Sequence, residues 1–312
     1  MKVAVIGHAL VDHEYVVDRI AETDDEYRII ENFSSPGGSA LNTSVGLKEL
    51  GNLPVLIANV GRDRRGLFLR SFIKKRNLEM SGLRIREGRT GFCIVIRDTF
   101  GGVRIFSKLG VSEPIYFDEK MEKALRGVEG IHIASLSIGN IGELLNFLTA
   151  IDLGERITWD IGRVVSKSPE ESIVEIAKRM SVIFISEREA MNIAPEFSPR
   201  DTASRLSSYI EGLLVLKKSD GGEVYRGGRK IAAIKLKKKF QAIDTLGAGD
   251  AFASSFLTSY FSGESAEDSL GKAIIYAGLK VGRKGGSNMP SAKELYEEWA
   301  DRSERYLEHE DS

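Results

Sequence analysis

A run of small residues between two carboxylates has the residue types that phosphoryl transfer needs: Asp244-Thr245-Leu246-Gly247-Ala248-Gly249-Asp250. Glycines at a helix start leave backbone N–H groups open to a ligand, and the helix dipole adds positive potential there. A carboxylate in the first helical turn, such as Asp250, repels a bound phosphate but can accept a proton from an attacking hydroxyl group. An anion site beside a base is the minimum required to phosphorylate an alcohol. The run also fits an ordinary helix start capped by Asp244 or Thr245.

Two segments nearer the N-terminus carry side chains suited to binding hydroxyl groups. Gly37-Gly38-Ser39-Ala40-Leu41-Asn42 opens a helix, and its double glycine lets a ligand approach the backbone while Asn42 faces that ligand. Asp12 follows the first predicted strand, and ligands of open α/β sheets bind beyond the carboxyl ends of the strands. Each feature also has a structural explanation, as a turn capped by Ser39 and as a turn-forming Asp.

The composition excludes several classes of protein. With 312 residues, 42% of them hydrophobic, the chain can bury a substantial core. A formal net charge of −1 gives no overall field that would attract nucleic acid or an anionic membrane. The single cysteine, Cys93, excludes an internal disulfide and any cysteine-rich metal site. Residues 3–6 form an apolar run too short for a signal peptide or a membrane span, so we expect a cytoplasmic protein without nucleic acid or membrane partners.

Short apolar runs alternate with amphipathic stretches along most of the chain. The runs predict strands at residues 3–6, 55–60, 130–134, 156–160, 182–185 and 213–216. The amphipathic stretches predict helices at residues 40–50, 67–75, 141–151, 170–179, 201–211 and 266–283, and the tail, 291–312, has the pattern of a charged helix. Buried strands separated by helices indicate an α/β fold: a mostly parallel central sheet with helices on both faces, in a single domain over residues 1–312.

Two regions interrupt this alternation. Residues 14–33 are polar and extended, and residues 91–108 have the pattern of two strands around the turn Gly101-Gly102. We interpret them as a small β-sheet lid, built from segments at about 12–35 and 90–108, that would exclude water from a phosphoryl-transfer site. An ordinary hairpin that extends the main sheet would have the same periodicity.

Together, these segments resemble the ribokinase-like, or PfkB, family of carbohydrate and nucleoside kinases along nearly the whole chain. The run from Asp244 to Asp250 is similar to the family's C-terminal signature at every position. The other similar segments, in chain order, are Gly7 with Asp12, Gly37-Gly38-Ser39-Ala40-Leu41-Asn42, Gly61-Arg62-Asp63-Arg64-Arg65-Gly66, and Asp160 with Arg163. Their order and spacing favour a kinase site over the separate structural explanations.

The resemblance implies roles for individual residues. The residues implied in catalysis are Asp250, as the base that deprotonates the acceptor hydroxyl, and Gly247, Ala248 and Gly249, whose backbone N–H groups would form an anion hole for the transferring phosphoryl. The residues implied in substrate binding are Asp12, Gly37, Gly38 and Asn42. The implied reaction is transfer of the terminal phosphoryl group of ATP to a hydroxyl of a small sugar.

The resemblance also implies a nucleotide site and metal ions. The residues implied there are Ser186, Glu189, Lys217, Ser219, Gly222, Gly249 and Asn288, with ATP as donor and ADP not excluded. Glu189 would hold Mg²⁺ through water. A possible K⁺ near the anion hole would take backbone ligands from the segments that contain Asp244 and Arg283. Two positions depart from the family pattern: Ser186 replaces Asn in Asn-x-x-Glu, and Lys217 stands where the Thr-x-Gly-x-x-Gly loop begins, of which only Gly222 is securely matched.

The identity of the acceptor stays open at this stage. A nucleoside is the alternative to a sugar, with the lid aromatics Phe92, Phe100 and Phe106 as candidates for stacking on a base. A non-catalytic sugar- or nucleotide-binding relative is a further alternative, although an intact Asp250 argues against it. A dinucleotide-dependent oxidoreductase would need Gly-x-Gly-x-x-Gly after the first strand, and only Gly7 is present. The lid strands could also pair two copies into a homodimer.

Overall fold

The computed structural model describes residues 1–20, 26–100, 102–134, 136–151 and 156–309, and it has two sheets. The strands are β1 (Lys2–Ile6), β2 (Leu10–Val17), β3 (Ile29–Gly37), β4 (Leu53–Gly61), β5 (Leu83–Arg86), β6 (Thr90–Asp98), β7 (Val103–Gly110), β8 (Gly130–Ile133), β9 (Ile157–Asp160), β10 (Val182–Ser186), β11 (Leu213–Lys218), β12 (Gly221–Arg226), β13 (Arg229–Leu236) and β14 (Leu307–His309). The helices are α1 (Ser39–Glu49), α2 (Arg64–Lys75), α3 (Glu119–Leu125), α4 (Ile138–Ile151), α5 (Gly162–Val165), α6 (Glu170–Ala177), α7 (Glu187–Ile193), α8 (Pro199–Ser207), α9 (Ala248–Phe261), α10 (Ala266–Val281) and α11 (Ala292–Tyr306).

The main sheet has ten strands in the order β14-β13-β12-β11-β10-β9-β8-β1-β4-β5. Its central part, from β11 to β5, is parallel, and its apolar strands are covered by helices on both faces. The predicted α/β fold and all six predicted strands are confirmed. Because parallel strands end at one edge, that edge gathers the residues that follow β1, β9, β10 and β11.

The strands β12, β13 and β14 form an antiparallel edge of the main sheet that the sequence did not indicate. β12 begins with Gly221-Gly222, and Gly227-Gly228 separates it from β13, so this stretch has the pattern of a turn. β14 follows directly after α11. The helix predicted for the tail therefore ends at Tyr306 instead of continuing, and residues 310–312 lie outside the described part of the chain.

The second sheet has four strands in the order β3-β2-β6-β7 and is separate from the main sheet. We call it the lid. The two regions predicted to form it supply all four strands, so the prediction of a small separate β-layer is confirmed, and the alternative of an extended main sheet is wrong. Gly101, in the predicted turn between β6 and β7, is outside the described residues. Residues that face each other across this sheet share a side: Asp12 lies opposite Ser35 and Cys93, and Glu14 lies opposite Phe33.

Candidate active site

The start of α9 has the backbone geometry of an anion site. Gly247 caps the helix with φ of 75°, and a Cβ built there would lie 2.3 Å from the Gly286 carbonyl oxygen, so only glycine fits. The N–H groups of Gly247 and Gly249 donate to no acceptor among the described residues, whereas that of Ala248 makes a long 3.3 Å bond to the Thr245 oxygen. Two of the three N–H groups assigned to the anion hole are therefore open to a ligand.

Asp250 lies in the first turn of α9 and is partly buried. Burial raises its pKa from 3.8 to about 7, and the hydrogen bond from Asn42 offsets part of that effect. A carboxylate that takes up protons near neutral pH has the basicity a general base requires.

Asn42 connects this helix start with the N-terminal half of the chain. Its Nδ2 donates to Asp250 Oδ2 at 2.8 Å, and its Oδ1 accepts from the Ser287 hydroxyl at 3.1 Å. The hydrogen bond to Asp250 joins residues 208 positions apart, which the sequence motifs predicted to share one site. Ser287, which sequence reasoning did not single out, orients the amide so that its NH₂ group faces the carboxylate.

Asp12 lies on the same side of the lid as Cys93 and is 6% exposed. Burial, with a further contribution from the neighbouring carboxylate of Glu14, raises its pKa to about 7. Gly37 lies against it, since a Cβ at Gly37 would fall 1.9 Å from Asp12 Oδ2. At Gly38, φ is 91° and a Cβ would lie 2.5 Å from the His8 carbonyl oxygen. The two glycines thus leave room for the carboxylate and for the backbone before α1.

Asp244 is held in an ion-pair network that links the segment before α9 to the lid. Its Oδ1 accepts from Leu246 N at 2.8 Å and from the guanidinium of Arg97, and its Oδ2 accepts from Gly285 N at 2.7 Å. Arg97, on β6, also donates to Glu14 Oε2 at 2.9 Å. Sequence reasoning missed Arg97, because only the folded lid brings it to Asp244.

Ser186 and Glu189 form a capping box at the start of α7. Ser186 N donates to Glu189 Oε2 at 2.7 Å, and Ser186 Oγ accepts from Glu189 N at 3.3 Å. One carboxylate oxygen of Glu189 is thereby used within the protein, and Oε1 accepts no hydrogen bond from the described residues. The pattern Ser-x-x-Glu at a helix start is itself a capping signature, so the sequence contained this signal.

The residues assigned to the nucleotide divide into two groups. Lys217, at the end of β11, lies opposite Gly222 of β12, and its Nζ is 2.5 Å from Asp160 Oδ2. Ser219 is exposed in the turn between these strands, and Asn288 is exposed with its amide donating to the Lys284 oxygen at 3.3 Å. Of these four residues, Lys217 has its side chain beside the start of α9, where a Cβ built on Gly249 would lie 3.5 Å from its Nζ.

The lid aromatics singled out for stacking on a base mostly face away from Asp12. Ile94 lies opposite Phe106, and alternation along β6 puts both on the other side of the sheet from Cys93. Phe92 is on that outer side too, where Arg65 lies over its ring at 4.2 Å. Phe33 lies on the Asp12 side, under Lys284 Nζ at 5.7 Å.

The fold and the site together define a phosphotransferase that acts on a hydroxyl group. The model of the pfkB family of carbohydrate kinases matches residues 1–293, and the chain belongs to that family. It is 28% identical over 296 residues, 94% of this chain and 96% of the relative, to the ATP-dependent ribose-1-phosphate kinase of Halopiger xanaduensis. It is 25% identical over 266 residues, 84% of each chain, to the nucleoside kinase of Methanocaldococcus jannaschii.

The architecture is similar to that of a solved structure, Arabidopsis thaliana ribokinase complexed with ribose and ATP. The TM-score is 0.79, and the match covers 95% of this chain and 97% of the other at 18% identity, a likeness of fold. Every helix among the described residues is too short or too polar to span a bilayer.

Proposed function

We propose that the protein transfers the terminal phosphoryl group of ATP to a hydroxyl group of a small sugar. The observation that carries this proposal is the 2.8 Å hydrogen bond from Asn42 to Asp250. It joins the helix that follows the double glycine to a carboxylate beside open backbone N–H groups. This contact supports a site in which the acceptor, the base and the anion hole lie close together.

The proposed mechanism is an in-line transfer. Asp12 and Asn42 bind acceptor hydroxyls, and Asp250 accepts the proton of the attacking hydroxyl as its oxygen bonds to phosphorus. The N–H groups of Gly247 and Gly249 stabilise the charge on the phosphoryl oxygens, an electrostatic contribution that is typically the largest in such sites. The lid excludes water, which would otherwise compete as the acceptor.

A divalent cation fits this site only when the phosphates of the nucleotide supply some of its ligands. Within the described ranges, His, Cys, Asp and Glu side chains nowhere gather in a group of three or more that could hold a metal ion. Mg²⁺ typically keeps several waters and binds through one or two carboxylates together with substrate phosphates. We assign Glu189, whose Oε1 is open, as the carboxylate that would help to hold Mg²⁺. The ion would neutralise negative charge on the phosphates.

A sugar fits the lid better than a nucleoside does, because most lid aromatics lie on its outer side. A nucleoside is the second candidate, since Phe33 is an aromatic ring on the Asp12 side and one relative is a nucleoside kinase. The Halopiger relative is a ribose-1-phosphate kinase, which adds phosphorylated pentoses to the candidate acceptors.

A phosphorylation screen tests the proposed function. The purified protein is given pentoses, hexoses, ribose 1-phosphate and nucleosides, with ATP and ADP in separate series. We expect ATP to be the better donor and a sugar or sugar phosphate to exceed every nucleoside in kcat/KM by roughly 100-fold or more. A nucleoside as best acceptor would establish the alternative. Calorimetric binding without product across the panel would indicate a non-catalytic relative.

We propose that fixed cations replace the K⁺ that the resemblance suggested at Asp244. Both carboxylate oxygens of Asp244 already accept hydrogen bonds, one of them from the guanidinium of Arg97. Lys280 is fully buried nearby and donates to the Arg283 oxygen at 3.3 Å. Burial lowers its pKa, and the negative charges of Asp244 and Asp250 offset part of that effect. A further cation would be repelled by the side chains of Arg97 and Lys280, so these residues do not suit K⁺.

Turnover should therefore not depend on monovalent cations. At equal ionic strength, we expect wild-type rates in KCl, NaCl and tetramethylammonium chloride to agree within about twofold. Lys280→Met removes the buried charge, and we expect its lower rate to increase with K⁺. Several-fold activation of the wild type by K⁺ would contradict the assignment.

We also propose that the outer side of the lid pairs two copies of the chain. This side carries the apolar Phe92, Ile94 and Phe106, and Phe106 is 59% exposed. Pairing would bury this surface away from the acceptor site.

A further inference from the structure

Lys217 is a buried cation next to the proposed anion hole. Its side chain is 12% exposed, and its Nζ lies 2.5 Å from Asp160 Oδ2. A Cβ built on Gly249 would be 3.5 Å from the same Nζ, so the ammonium group lies beside the backbone where α9 begins. Asp160 ends β9 and Lys217 is near the end of β11, the two strands that flank β10.

The surroundings keep this ammonium group charged. Burial alone would lower the pKa of Lys217, but nearby carboxylates, first Asp160 and then Glu189, hold it above its ordinary value of 10.5. Asp250 contributes in the same direction. The group is therefore a fixed positive charge and not a base.

A purely structural role explains this pair poorly. Burying two charges costs more than burying an apolar pair of similar size, so a buried ion pair is weak evidence of a stabilising role. The adjacent Lys218 alternates with Lys217 along β11 and so points to the opposite side of the sheet. Its side chain is also mostly buried, at 16% exposed, with its Nζ 3.1 Å from Glu223 Oε1. Burial of an ion pair is therefore common to both lysines, and the position beside Gly249 distinguishes Lys217.

We infer that Lys217 is a catalytic residue that contacts the transferring phosphoryl group at the start of α9, with Asp160 as the positioning residue that aims its ammonium group there. This inference rests on the proposed function. In the step itself, the bond between phosphorus and the donor's bridging oxygen breaks as the acceptor oxygen bonds to phosphorus. The acceptor proton passes to Asp250, and Lys217 keeps its proton and neutralises the equatorial phosphoryl oxygens.

Kinetics of Lys217→Met and Lys218→Met test the inference with a matched pair. Removing one donor that stabilises a transition state lowers kcat by about 100- to 1,000-fold, which is the loss we expect for Lys217→Met, with little change in the KM of the acceptor. Lys218→Met should keep kcat within about threefold of the wild type. The inference is overturned if Lys217→Met has the kcat of Lys218→Met.

A double variant that lacks both charges separates an effect on the reaction from an effect on folding. Lys217→Met leaves Asp160 as an unpaired buried charge and could unfold the protein, whereas Lys217→Met combined with Asp160→Asn removes both charges. If the pair is structural, the double variant should melt near the wild-type temperature and turn over normally. If the inference is correct, it should melt normally and stay as slow as Lys217→Met.

Binding of a phosphoryl mimic gives a readout independent of any acceptor. Calorimetry with ADP and orthovanadate should show weaker vanadate binding for the double variant and unchanged binding for Lys218→Met. Unchanged vanadate binding in the double variant would contradict the inference. If the wild type phosphorylates no acceptor but this difference persists, the proposed function fails while the phosphoryl contact of Lys217 stands.

Discussion

Asp250→Asn should lower kcat by about 1,000-fold or more while the protein stays folded. The amide cannot accept the acceptor's proton, yet its oxygen can still receive the 2.8 Å hydrogen bond from Asn42. Single-turnover measurement of phosphoryl transfer at pH 8, with saturating ATP, reports the chemical step directly. General-base catalysis typically contributes about 100- to 10,000-fold. A kcat of Asp250→Asn within about tenfold of the wild type would therefore contradict the assignment of Asp250 as the base.

Thermal unfolding is the control for this variant, because we expect Asp250→Asn to stabilise the protein at pH 8 while it lowers kcat. In the folded protein, burial raises the pKa of Asp250 from 3.8 to about 7. The folded state therefore binds the proton more tightly than the unfolded state, and the free energy of unfolding falls as pH rises from about 4 through about 7. Asparagine does not ionise, so Asp250→Asn removes this pH-dependent decrease in the free energy of unfolding. At pH 8, we expect it to melt at a higher temperature than the wild type.

The pH profile provides a second check on the same residue. Below pH 7, Asp250 is increasingly protonated and cannot act as a base, so kcat/KM for the acceptor should rise with pH and level off above about 7. Asp12, whose pKa is also raised to about 7, should steepen the rise if acceptor binding needs its charged form. The limiting slope of log(kcat/KM) should then approach about two, and fall to about one in Asp12→Asn.

The parallel core of the fold could be predicted because its strands are uninterrupted apolar runs. β10 and β11, for example, are buried on both faces, so their composition alone identifies them. The antiparallel edge could not be predicted in this way. β13 is partly exposed, begins with Arg229-Lys230 and has small alanines at its centre, so it lacks an uninterrupted bulky apolar run, and β14 pairs with β13.

The site was predictable where it depends on local backbone and not where it depends on distant side chains. The left-handed cap at Gly247 follows from a local glycine pattern, which a single segment contains. Arg97 reaches Asp244 from 147 positions away, and Lys217 reaches Asp160 from 57 positions away, so no short motif contains either pair. Ser186 and Glu189 show a third case, in which one pattern serves both as a helix cap and as a nucleotide motif.

Gly37→Ala should raise the KM of the acceptor sharply while the fold persists. The backbone at Gly37 is ordinary extended strand, so the added methyl group causes no strain there. It would instead lie 1.9 Å from Asp12 Oδ2 and 2.5 Å from Asp12 Cγ, and the carboxylate must turn away. Hydrogen bonds to a charged group contribute about 1.5–3 kcal/mol, so kcat/KM for the acceptor should fall by roughly 10- to 150-fold.

A double-mutant cycle identifies Asp12 as the reason for this loss. Asp12→Ala alone should lower kcat/KM by a similar factor, and in that background Gly37→Ala should cost less than about threefold, because the methyl group then has space. Gly142→Ala, in α4, is the control for adding a methyl group where nothing lies within 4 Å and φ is not positive, and it should leave the KM of the acceptor unchanged. Additive losses in the cycle would show that Gly37 serves the acceptor through its own backbone. A non-additive result would assign to Gly37 the role of making room for the Asp12 carboxylate.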